Sequence, residues 1–397
     1  MRRSMACNQR VLLVKAKLVR VLKIVFIVAA ICVGAGFGYL QLPKFGALPE
    51  NDTLARLEDS PNYRNGAFQN LEPIPETTVD PESERTWLDV LFSEDNGRTS
   101  PRPLPTAKTD LRALEQNEDV MIWLGHSSFF IQLDGKTFLI DPVLSQNASP
   151  IPFTNQAFEG TSIYTAEDFP EIDYLLISHD HWDHLDYPSV SALKDKIGTI
   201  VTGLGVGAHF ERWGFPPSQI HEADWNTSLT VDEGFKLHIL PARHFSGRWL
   251  ERDQSLWVAF ALKSPTRSLF FSGDSGYGSH FKDIGDALGG FDLAMLDVGQ
   301  YDLQWRYVHM LPEDGVKATR DLRATAIMPA HVGKFSMAFH RWDEPFRELS
   351  AMQGDLSSSL VTPLIGETVD LSQLGRGFTP WWRLSEDEQP ELAESEG

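Results

Sequence analysis

From residue 120 onward, short apolar runs alternate with polar turn segments and with stretches whose apolar residues recur at helical spacing. The apolar runs predict strands at 121–125, 129–133, 137–140, 174–177, 199–202, 235–240, 256–263, 267–272, 291–296 and 325–329. Helical spacing predicts helices near 188–196, 206–213, 277–287, 313–323 and 344–353. Strands interleaved with helices, with hairpins at 120–141 and 228–240, predict two packed sheets with helices outside. The hairpins argue against the competing fold, a histidine-ligated TIM-barrel hydrolase, which needs eight strand–helix units.

The N-terminus has a different pattern. Residues 24–40 form an uncharged run of 17 residues, and residues 1–23 contain seven basic residues and no acidic ones. Such a run is just long enough to cross a bilayer, and the basic flank favours a cytoplasmic N-terminus. The sequence therefore predicts a single-pass signal anchor, with the catalytic part on the periplasmic or extracytoplasmic side. A cleaved signal peptide, which would give a secreted protein, is the alternative.

These patterns divide the chain into four predicted regions. Residues 1–43 form the cytoplasmic basic segment and transmembrane anchor, and residues 44–118 a linker and wrapping arm rich in Pro, Asp, Glu and Asn. Residues 119–370 form the folded domain, and residues 371–397 an acidic C-terminal tail. Within the arm, the segment from Ser60 to Phe68 is expected to dock on the domain through its aromatic residues.

Charge and cysteine content narrow the class of function. The formal net charge is −20, and because residues 1–23 carry +7, the remainder carries −27. A body this acidic repels nucleic acid, so DNA or RNA binding is not expected. Both cysteines, Cys7 and Cys32, lie in the N-terminal segment. Cysteine therefore cannot ligate a metal in the domain.

The most informative stretch is residues 174–187, where an apolar strand runs into a loop rich in histidine and aspartate. The loop carries His179, His181, Asp183 and His184. Imidazole suits zinc and neighbouring transition metals, and a carboxylate adds a harder oxygen ligand. Four such donors within six residues cannot all reach one ion with good geometry. The spacing therefore predicts two adjacent metal ions.

Three further candidate ligands follow predicted strands elsewhere in the chain. They are His244, Asp274 and His331. Each alone could be an ordinary surface histidine or a turn aspartate. Ligands on strand-end loops are held by a rigid scaffold and can converge on one edge of a sheet. Together with the first cluster, they therefore predict one composite metal site.

At this point the chain resembles the metallo-β-lactamase fold superfamily, whose landmarks appear in order as Asp141, the His179–His184 cluster, His244, Asp274 and His331. More narrowly, it is similar to the branch with N-acyl-phosphatidylethanolamine-hydrolysing phospholipase D and the ascorbate-6-phosphate lactonase-like proteins. The local matches, within residues 60–367, are Trp123–Ser128, Ser178–Asp186, Pro241–Arg248, Phe271–Tyr277, Gly299–Tyr301, His309–Glu313 and Pro329–Phe335. The resemblance implies an α/β fold, an αββα sandwich of two mixed sheets flanked by helices. Val332 after His331 departs from the phospholipase pattern, which puts that enzyme's acyl pocket in doubt here.

The resemblance also implies a ligand set. His179, His181 and His244 would hold one divalent ion, Asp183, His184 and His331 a second, and Asp274 would bridge both. Zinc is the expected metal, with manganese or iron as alternatives. A water shared by such a pair is acidified and supplies a bridging hydroxide as nucleophile. Asp141 is expected to hydrogen-bond a ligand or that water from behind; a turn cap before Pro142 is the alternative.

Other residues are candidates for contact with the substrate. Asp183, His126 and His309 are the catalytic candidates, the two histidines through substrate contact or proton delivery to the leaving group; for His309 an ordinary surface histidine is the alternative. Arg248 could clamp a phosphate oxygen, or form a surface salt bridge with Glu251. Tyr301 is a second substrate-binding candidate.

The leading prediction is a dinuclear metal-dependent hydrolase, a phosphodiesterase acting on a small or phospholipid-like molecule near a membrane. The same site could instead serve a lactonase or carboxylic-ester hydrolase. A non-catalytic envelope protein is the third hypothesis, disfavoured because all seven expected ligands are present.

Overall fold

The structure is a computed structural model that describes residues 2–75, 97–248 and 250–383. Within the first range, side chains are described for residue 15 and from residue 17 onward. Two units are distinguished, residues 1–45 and residues 46–397. Part of the predicted arm, residues 76–96, and the last 14 residues of the predicted tail, 384–397, lie outside the described residues.

The first unit is built on one long helix, α1 (Arg2–Leu40), followed by a short 3-10 turn at Pro43–Phe45. Its segment Lys17–Leu40 is long and apolar enough to cross a membrane, and none of the apolar window is buried in the protein. A helix that is apolar all round has no packing partner in water, which fits either an anchor or a signal sequence. Membrane insertion and its direction therefore stay predictions.

The second unit alternates strands and helices. In chain order it contains α2 (Asn51–Glu58), β1 (Tyr63–Arg64), β2 (Ala67–Phe68), β3 (Val120–Trp123), β4 (Phe129–Leu133), β5 (Lys136–Ile140), β6 (Ile172–Ile177), α3 (Tyr187–Ala192), β7 (Ile197–Gly203), α4 (Gly207–Arg212), β8 (Ile220–Ala223), β9 (Thr227–Asp232), β10 (Phe235–Pro241), β11 (Val258–Lys263), β12 (Ser268–Phe271), α5 (His280–Leu288), β13 (Leu293–Asp297), α6 (Pro312–Asp321), β14 (Ala326–Ala330), α7 (Glu344–Ala351), β15 (Ser359–Leu360) and β16 (Thr368–Asp370).

Two seven-stranded sheets form the centre of this unit. One has the order β16-β3-β4-β5-β6-β7-β8 and the other β15-β14-β13-β12-β11-β10-β9. In each sheet antiparallel pairs at one side give way to parallel pairs, from β5 onward in the first and from β12 onward in the second. The predicted mixed sheets are therefore confirmed, and the TIM-barrel alternative is wrong.

The main core lies between the two sheets. Phe129 meets Phe271 at 5.8 Å between ring centroids, and Phe138 meets Phe235 at 5.5 Å, so each pair joins one sheet to the other. A second buried cluster covers the outer face of the first sheet, where Phe210 of α4 lies among Leu175 and Ile177 of β6. Because apolar layers cover both faces, these strands read as continuous apolar runs rather than alternating ones.

The structure differs from the sequence-based division in two places. Helix α2 and strands β1, β2, β8, β15 and β16 were not predicted, because such short elements carry too few apolar residues to show a period. The compact body also continues past residue 370, since Leu371, Leu374, Trp381 and Trp382 are buried in the main core. The predicted boundary at 370 is therefore too early, because the acidic residues that follow from Glu386 onward led the whole segment to be interpreted as a tail.

The described part of the arm packs on the body. Phe68 and Leu57 are each 1% exposed and belong to the main core. The hairpin β1–β2 pairs Tyr63 with Phe68, and their rings meet edge to face at 5.0 Å. The expected docking of this segment through its aromatics is confirmed.

We expect Trp381→Ala to lower the free energy of unfolding by about 3–5 kcal/mol, because a large buried aromatic leaves a cavity when truncated. Trp381 is 3% exposed and lies against Phe346 and Trp382 at centroid distances of 5.0 and 5.7 Å. Urea denaturation measures the change. Phe153→Ala is the control, because Phe153 is 87% exposed. Equal effects of the two substitutions would show that residues after 370 do not belong to the folded body.

Candidate metal centre

The loop between β6 and α3 places the first set of functional side chains. Buried apolar residues end β6 at Ile177, and α3 begins where the Asp186 side chain accepts a hydrogen bond from the Ser189 N–H at 3.2 Å. Between them, the His181 carbonyl accepts hydrogen bonds from the N–H groups of His184 and Leu185 at 3.2 and 2.8 Å. This tight turn, fixed at both ends, holds the His-x-His-x-Asp-His sequence above the ends of the strands.

One group of side chains converges from three separate loops. His179 Nε2 lies 2.9 Å from His181 Nδ1, and His244 Nε2 lies 3.2 Å from the same atom. The Asp274 Oδ2 atom is 3.8 Å from His179 Nε2 and 3.7 Å from His244 Nε2. Four candidate donor atoms therefore lie within 4.8 Å of one another.

A second group lies beside the first. His331 Nε2 and His126 Nε2 each lie 3.0 Å from Asp183 Oδ2, and His184 Nε2 lies 3.4 Å from it. Asp274 reaches this group too, with 3.2 Å from Oδ1 to His184 Nε2 and 3.3 Å from Oδ2 to His331 Nε2. The Asp274 carboxylate thus lies between the two groups, at the position implied for a bridging ligand.

Polar atoms without partners show that these groups suit cations. His184 Nε2 and Asp274 Oδ1 are buried and lie 3.2 Å apart, but neither makes a well-directed hydrogen bond within the described residues. Leaving a buried donor or acceptor unpaired costs about 1–3 kcal/mol, more when it is charged. A divalent cation between them would satisfy both, and imidazole with carboxylate is the donor set of zinc and its neighbours.

Asp141 supports the second group from behind. Its Oδ2 lies 2.7 Å from His184 Nδ1, while its carboxylate accepts hydrogen bonds from the Ser178 N–H at 2.8 Å and the Ser178 hydroxyl at 2.5 Å. Of the two roles predicted for Asp141, the structure therefore shows the hydrogen bond to a candidate metal ligand, His184. Such a contact fixes the imidazole so that Nε2 faces the site.

Asp297 performs the same task for two histidines and was missed from the sequence. Its carboxylate lies 2.7 Å from His309 Nδ1 and 3.2 Å from His331 Nδ1, and accepts a hydrogen bond from the Ser275 N–H at 3.0 Å. Asp297 ends β13, whose five residues are all buried. A carboxylate at the end of a fully apolar strand was the signal that could have identified it.

Asn70 is a second missed residue, contributed by the arm. Its side-chain carbonyl accepts a hydrogen bond from the His244 N–H at 3.0 Å, and its amide donates to the His244 carbonyl at 2.7 Å. The His244 Nδ1–H donates to the Val308 carbonyl at 3.0 Å, which leaves Nε2 directed at the group. Nothing in the sequence around Asn70 marks it, because the contact joins residues 174 positions apart.

Gly299 and Gln300 hold the backbone of His331. A Cβ atom on Gly299 would lie 1.9 Å from the His331 carbonyl oxygen, so only glycine fits there. The Gln300 side-chain amide donates to that same carbonyl at 3.2 Å. The matched sequence Gly299-Gln300 is therefore explained by its contact with a candidate ligand.

Burial and neighbouring charge set the protonation of the cluster. Burial lowers the pKa of His181 to about 4 and keeps the pKa of His179 well below its usual value. Burial opposes the charged form of His331 too, but the Asp274 and Asp297 carboxylates outweigh it and raise its pKa to about 10. The pKa of His184 is likewise raised by Asp274 and Asp183 against burial. A cation in the second group must therefore displace protons, so its affinity falls as the pH falls.

Two residues predicted to contact substrate lie elsewhere in the structure. Arg248 is 4% exposed, and its guanidinium donates to the carbonyls of Asp180 and Leu185 at 3.1 and 2.7 Å. It braces the metal loop from inside, so the predicted phosphate clamp and the surface salt bridge are both wrong. The Tyr301 hydroxyl donates to Glu344 at 2.9 Å and lines a separate cavity of about 600 Å³ that includes no candidate ligand. Tyr301 makes no contact with the candidate ligands, and its role in substrate binding stays a prediction.

His126 belongs with the candidate ligands rather than with the substrate. Its side chain is fully buried, and Nε2 contacts Asp183 while Nδ1 has no partner among the described residues. The predicted contact with substrate or proton delivery is wrong, because the ring has no exposed surface and packs against Phe335 at 5.2 Å between ring centroids. His309 differs, since its side chain is 13% exposed and Nδ1 lies 4.0 Å from Asp274 Oδ2. It remains the candidate for proton delivery.

Comparison with known proteins agrees with this geometry. The model of the β-lactamase superfamily domain matches residues 136–332. The chain is 38% identical over 332 residues to an uncharacterised protein of Mycobacterium tuberculosis, covering 82% of this chain and 88% of that protein. It is 30% identical over 267 residues to N-acyl-phosphatidylethanolamine-hydrolysing phospholipase D 1 of Caenorhabditis elegans, covering 63% of this chain and 75% of the relative.

The chain belongs to the β-lactamase superfamily. Its fold is also that of a solved structure from Veillonella parvula described as a possible metal-dependent hydrolase, with a TM-score of 0.53 at 13% identity, covering 64% of this chain and 99% of the other. The family, the hydrolases among its relatives and the histidine–aspartate groups together make this superfamily member a metal-dependent hydrolase. The resemblance inferred from the sequence is confirmed.

Because His181 contacts one group of side chains and Asp274 contacts both, we expect substitutions at these two residues to remove different amounts of bound metal. We expect the wild type to bind about two divalent ions per chain, His181→Ala to lose about one, and Asp274→Ala to weaken both sites because its carboxylate contacts both groups. Metal analysis of the purified full chain measures this. His238→Ala is the control, because His238 lies in β10 and belongs to neither group. Unchanged metal content in Asp274→Ala would exclude a shared ligand.

Asp297→Asn tests the residue behind His309 and His331. We expect a loss of about 10–100-fold in metal affinity or activity, because the amide cannot orient and stabilise both imidazoles as the carboxylate does. Metal affinity by competition with a chelator and kcat are measured separately. Asp292→Asn, at the opposite end of β13, is the control and should change neither. If Asp297→Asn kept normal metal affinity and normal kcat, the role of this carboxylate would be structural only.

Proposed function

We propose that this metal-dependent hydrolase is a dinuclear phosphodiesterase that cleaves a phospholipid-like substrate. The observation that carries the proposal is the Asp274 carboxylate lying between two histidine groups, 3.2 Å from His184 Nε2 and 3.7 Å from His244 Nε2. A shared carboxylate is the arrangement expected for two cations a few ångströms apart. The phosphodiesterase assignment draws support from the C. elegans relative, which is named for hydrolysis of a phospholipid.

The proposed ligands follow the two groups. His179, His181 and His244 would hold one cation, and Asp183, His184 and His331 the other, with Asp274 shared. His126 joins the second group as either an additional ligand or a hydrogen-bond partner of Asp183. When bound, such cations acidify water to supply a nucleophile and offset the charge that develops on the substrate. Zinc is the proposed metal, and manganese or iron would also suit the carboxylate-bearing group.

The surrounding residues of the chain have distinct proposed tasks. Asp141 keeps His184 Nε2 directed into the site, and Asp297 does the same for His331. His309 would deliver a proton to the leaving oxygen, a role supported by its 2.7 Å contact with Asp297 and its partial exposure. A general acid of this kind contributes about 10²–10⁴-fold to the rate.

Location near lipid is part of the proposal. The segment Lys17–Leu40 is long and apolar enough to anchor the chain in a membrane. With the basic residues before it in the cytoplasm, the catalytic unit would lie on the extracytoplasmic side. Cleavage at a signal sequence would instead release the enzyme, and N-terminal sequencing of the mature protein separates the two.

We expect the purified, metal-loaded chain to hydrolyse phosphodiesters and to leave lactones and simple carboxylic esters untouched. The physical basis is charge, because two cations stabilise a phosphodiester whose own oxygens are anionic. Turnover is measured on N-acyl-phosphatidylethanolamine, bis(p-nitrophenyl) phosphate and a panel of lactones. His309→Gln should lower kcat by at least about tenfold with metal content unchanged. Turnover of lactones alone would reject the phosphodiesterase and favour the lactonase.

A further inference from the structure

A second feature of the site is a cavity of about 870 Å³ that opens beside His244. One wall comes from the arm, at residues 64–75, and the facing wall from the body, at Phe245, Trp257 and Trp305. We call this space the arm cavity. Because His244 is a candidate ligand in its wall, a molecule in the arm cavity reaches the edge of the metal centre.

The arm wall is fixed rather than loosely apposed. The hydroxyl of Ser60 and the amide of Asn62 donate to the Asp224 carboxylate at 2.6 and 2.7 Å. The Phe68 N–H donates to the Asp253 carbonyl at 2.9 Å, and Asn70 holds the His244 backbone. The cavity therefore has a defined shape before any ligand enters, which lowers the entropy cost of binding.

Two arginines line the arm cavity from opposite sides. Arg64 belongs to the hairpin of the arm, and Arg252 belongs to the body. The Arg252 guanidinium lies 4.2 Å from the centre of the Phe245 ring, which itself lies 4.5 Å from the His244 ring. Arg252 is thus separated from the candidate ligands by one aromatic ring.

Neither arginine side chain has a carboxylate partner among the described residues. Asp253 lines the same cavity, but its carboxylate accepts a hydrogen bond from the Ser246 N–H at 3.1 Å. Several other arginines in the chain are paired, such as Arg56 with Glu222 and Arg376 with Glu367. Two such cations at one cavity, in a chain of net charge −20, make a local anion-binding surface.

The remaining wall combines apolar and aromatic side chains with the amides of Asn65, Gln69, Asn70 and Gln304. Phe68 and Trp257 are buried, and Leu71 and Ile74 are 57% and 38% exposed. Guanidinium groups at one part of the cavity and exposed aliphatic side chains at another match a ligand that is itself amphiphilic.

We propose that the arm cavity is a specificity site for an anionic group on an amphiphilic substrate, distinct from the group being cleaved. Arg64 and Arg252 contact the anion, and the aromatic and aliphatic wall contacts the apolar part. This proposal rests on the proposed function, since it assigns part of the substrate of the same site. The cavity adds selectivity, because a charge-assisted hydrogen bond from a guanidinium distinguishes an anion from a neutral group of the same size.

The test measures binding with two probes of equal chain length, decanoate and decanol, by the fluorescence of tryptophans that include Trp257 and Trp305. In the metal-loaded full chain, we expect decanoate to bind about tenfold more tightly than decanol. Arg252→Gln and Arg64→Gln should each reduce that preference, and the double variant should abolish it. Arg252→Lys should retain part of it because the charge remains.

Arg112→Gln is the matched control, because Arg112 is exposed and lies outside the arm cavity. Both cavity arginines are exposed, so thermal unfolding should show that the variants fold normally. A decanoate preference that survives in the double variant, or its absence in the wild type, would overturn the proposal.

A second measurement separates this proposal from the proposed function. Two p-nitrophenyl alkyl phosphodiesters are compared, one with a methyl end and one with a carboxylate end. We expect the carboxylate end to raise kcat/KM about tenfold in the wild type and not in the double arginine variant. Hydrolysis of neither diester, with the decanoate preference intact, would reject the phosphodiesterase while supporting the anion site.

Discussion

The structure depends on how the charge of the Asp274 carboxylate is balanced in a region that excludes water. Asp274 is 3% exposed, yet its pKa is held well below the usual value, because nearby histidines outweigh the effect of burial. A buried charge is stable only when it is paired and hydrogen-bonded or bound to metal. In the absence of a cation, protons on His184 and His331 provide that balance. A bound cation would replace those protons with a stronger and more localised charge, so the same arrangement serves folding and metal binding.

Two sheets are needed to build such a region, because the ligands come from distant parts of the sequence. His179 follows β6 in one sheet, whereas Asp274 and His331 follow β12 and β14 in the other. Apolar contacts between the sheets, such as Phe129 against Phe271, fix the distance between these loops. Supporting carboxylates then fix each imidazole within its loop. Asp141 supports a histidine of the first sheet and Asp297 one of the second, so the orientation of the ligands is specified from both sides.

The sequence revealed those features that depend on local pattern. The apolar runs located the central strands, and the spacing in the His179–His184 cluster identified the metal loop. Features that depend on contact across the fold were not visible. Asn70 lies 174 residues from the backbone it holds, and Trp381 looked like part of an acidic tail. His126 was predicted to contact substrate or deliver a proton, whereas its side chain is fully buried with Nε2 3.0 Å from Asp183 Oδ2, a property of packing across the fold.

The contrast between Arg248 and Arg252 shows why residue type alone does not assign a role. The two lie four positions apart, and either could be read as a phosphate contact. Arg248 is buried, with its guanidinium 3.9 Å from the Trp182 ring, and it donates to carbonyls of the metal loop. Burial lowers its pKa to about 10, which still leaves it charged at neutral pH. Its charge therefore acts on the backbone that carries the ligands, and removing it would disturb the loop rather than the substrate.

Arg252 lies on the solvent side of Phe245, where its charge is available to a ligand. The Phe245 ring lies 4.6 and 4.5 Å from the rings of His181 and His244, and its centre is 4.2 Å from the Arg252 guanidinium. It thereby sets the separation between the cations proposed at the metal centre and the cation at the arm cavity. A substrate that satisfies both needs two anionic groups joined by a linker at least as long as one aromatic ring. Under these two proposals, that spacing of charges would restrict the substrate more tightly than family membership does.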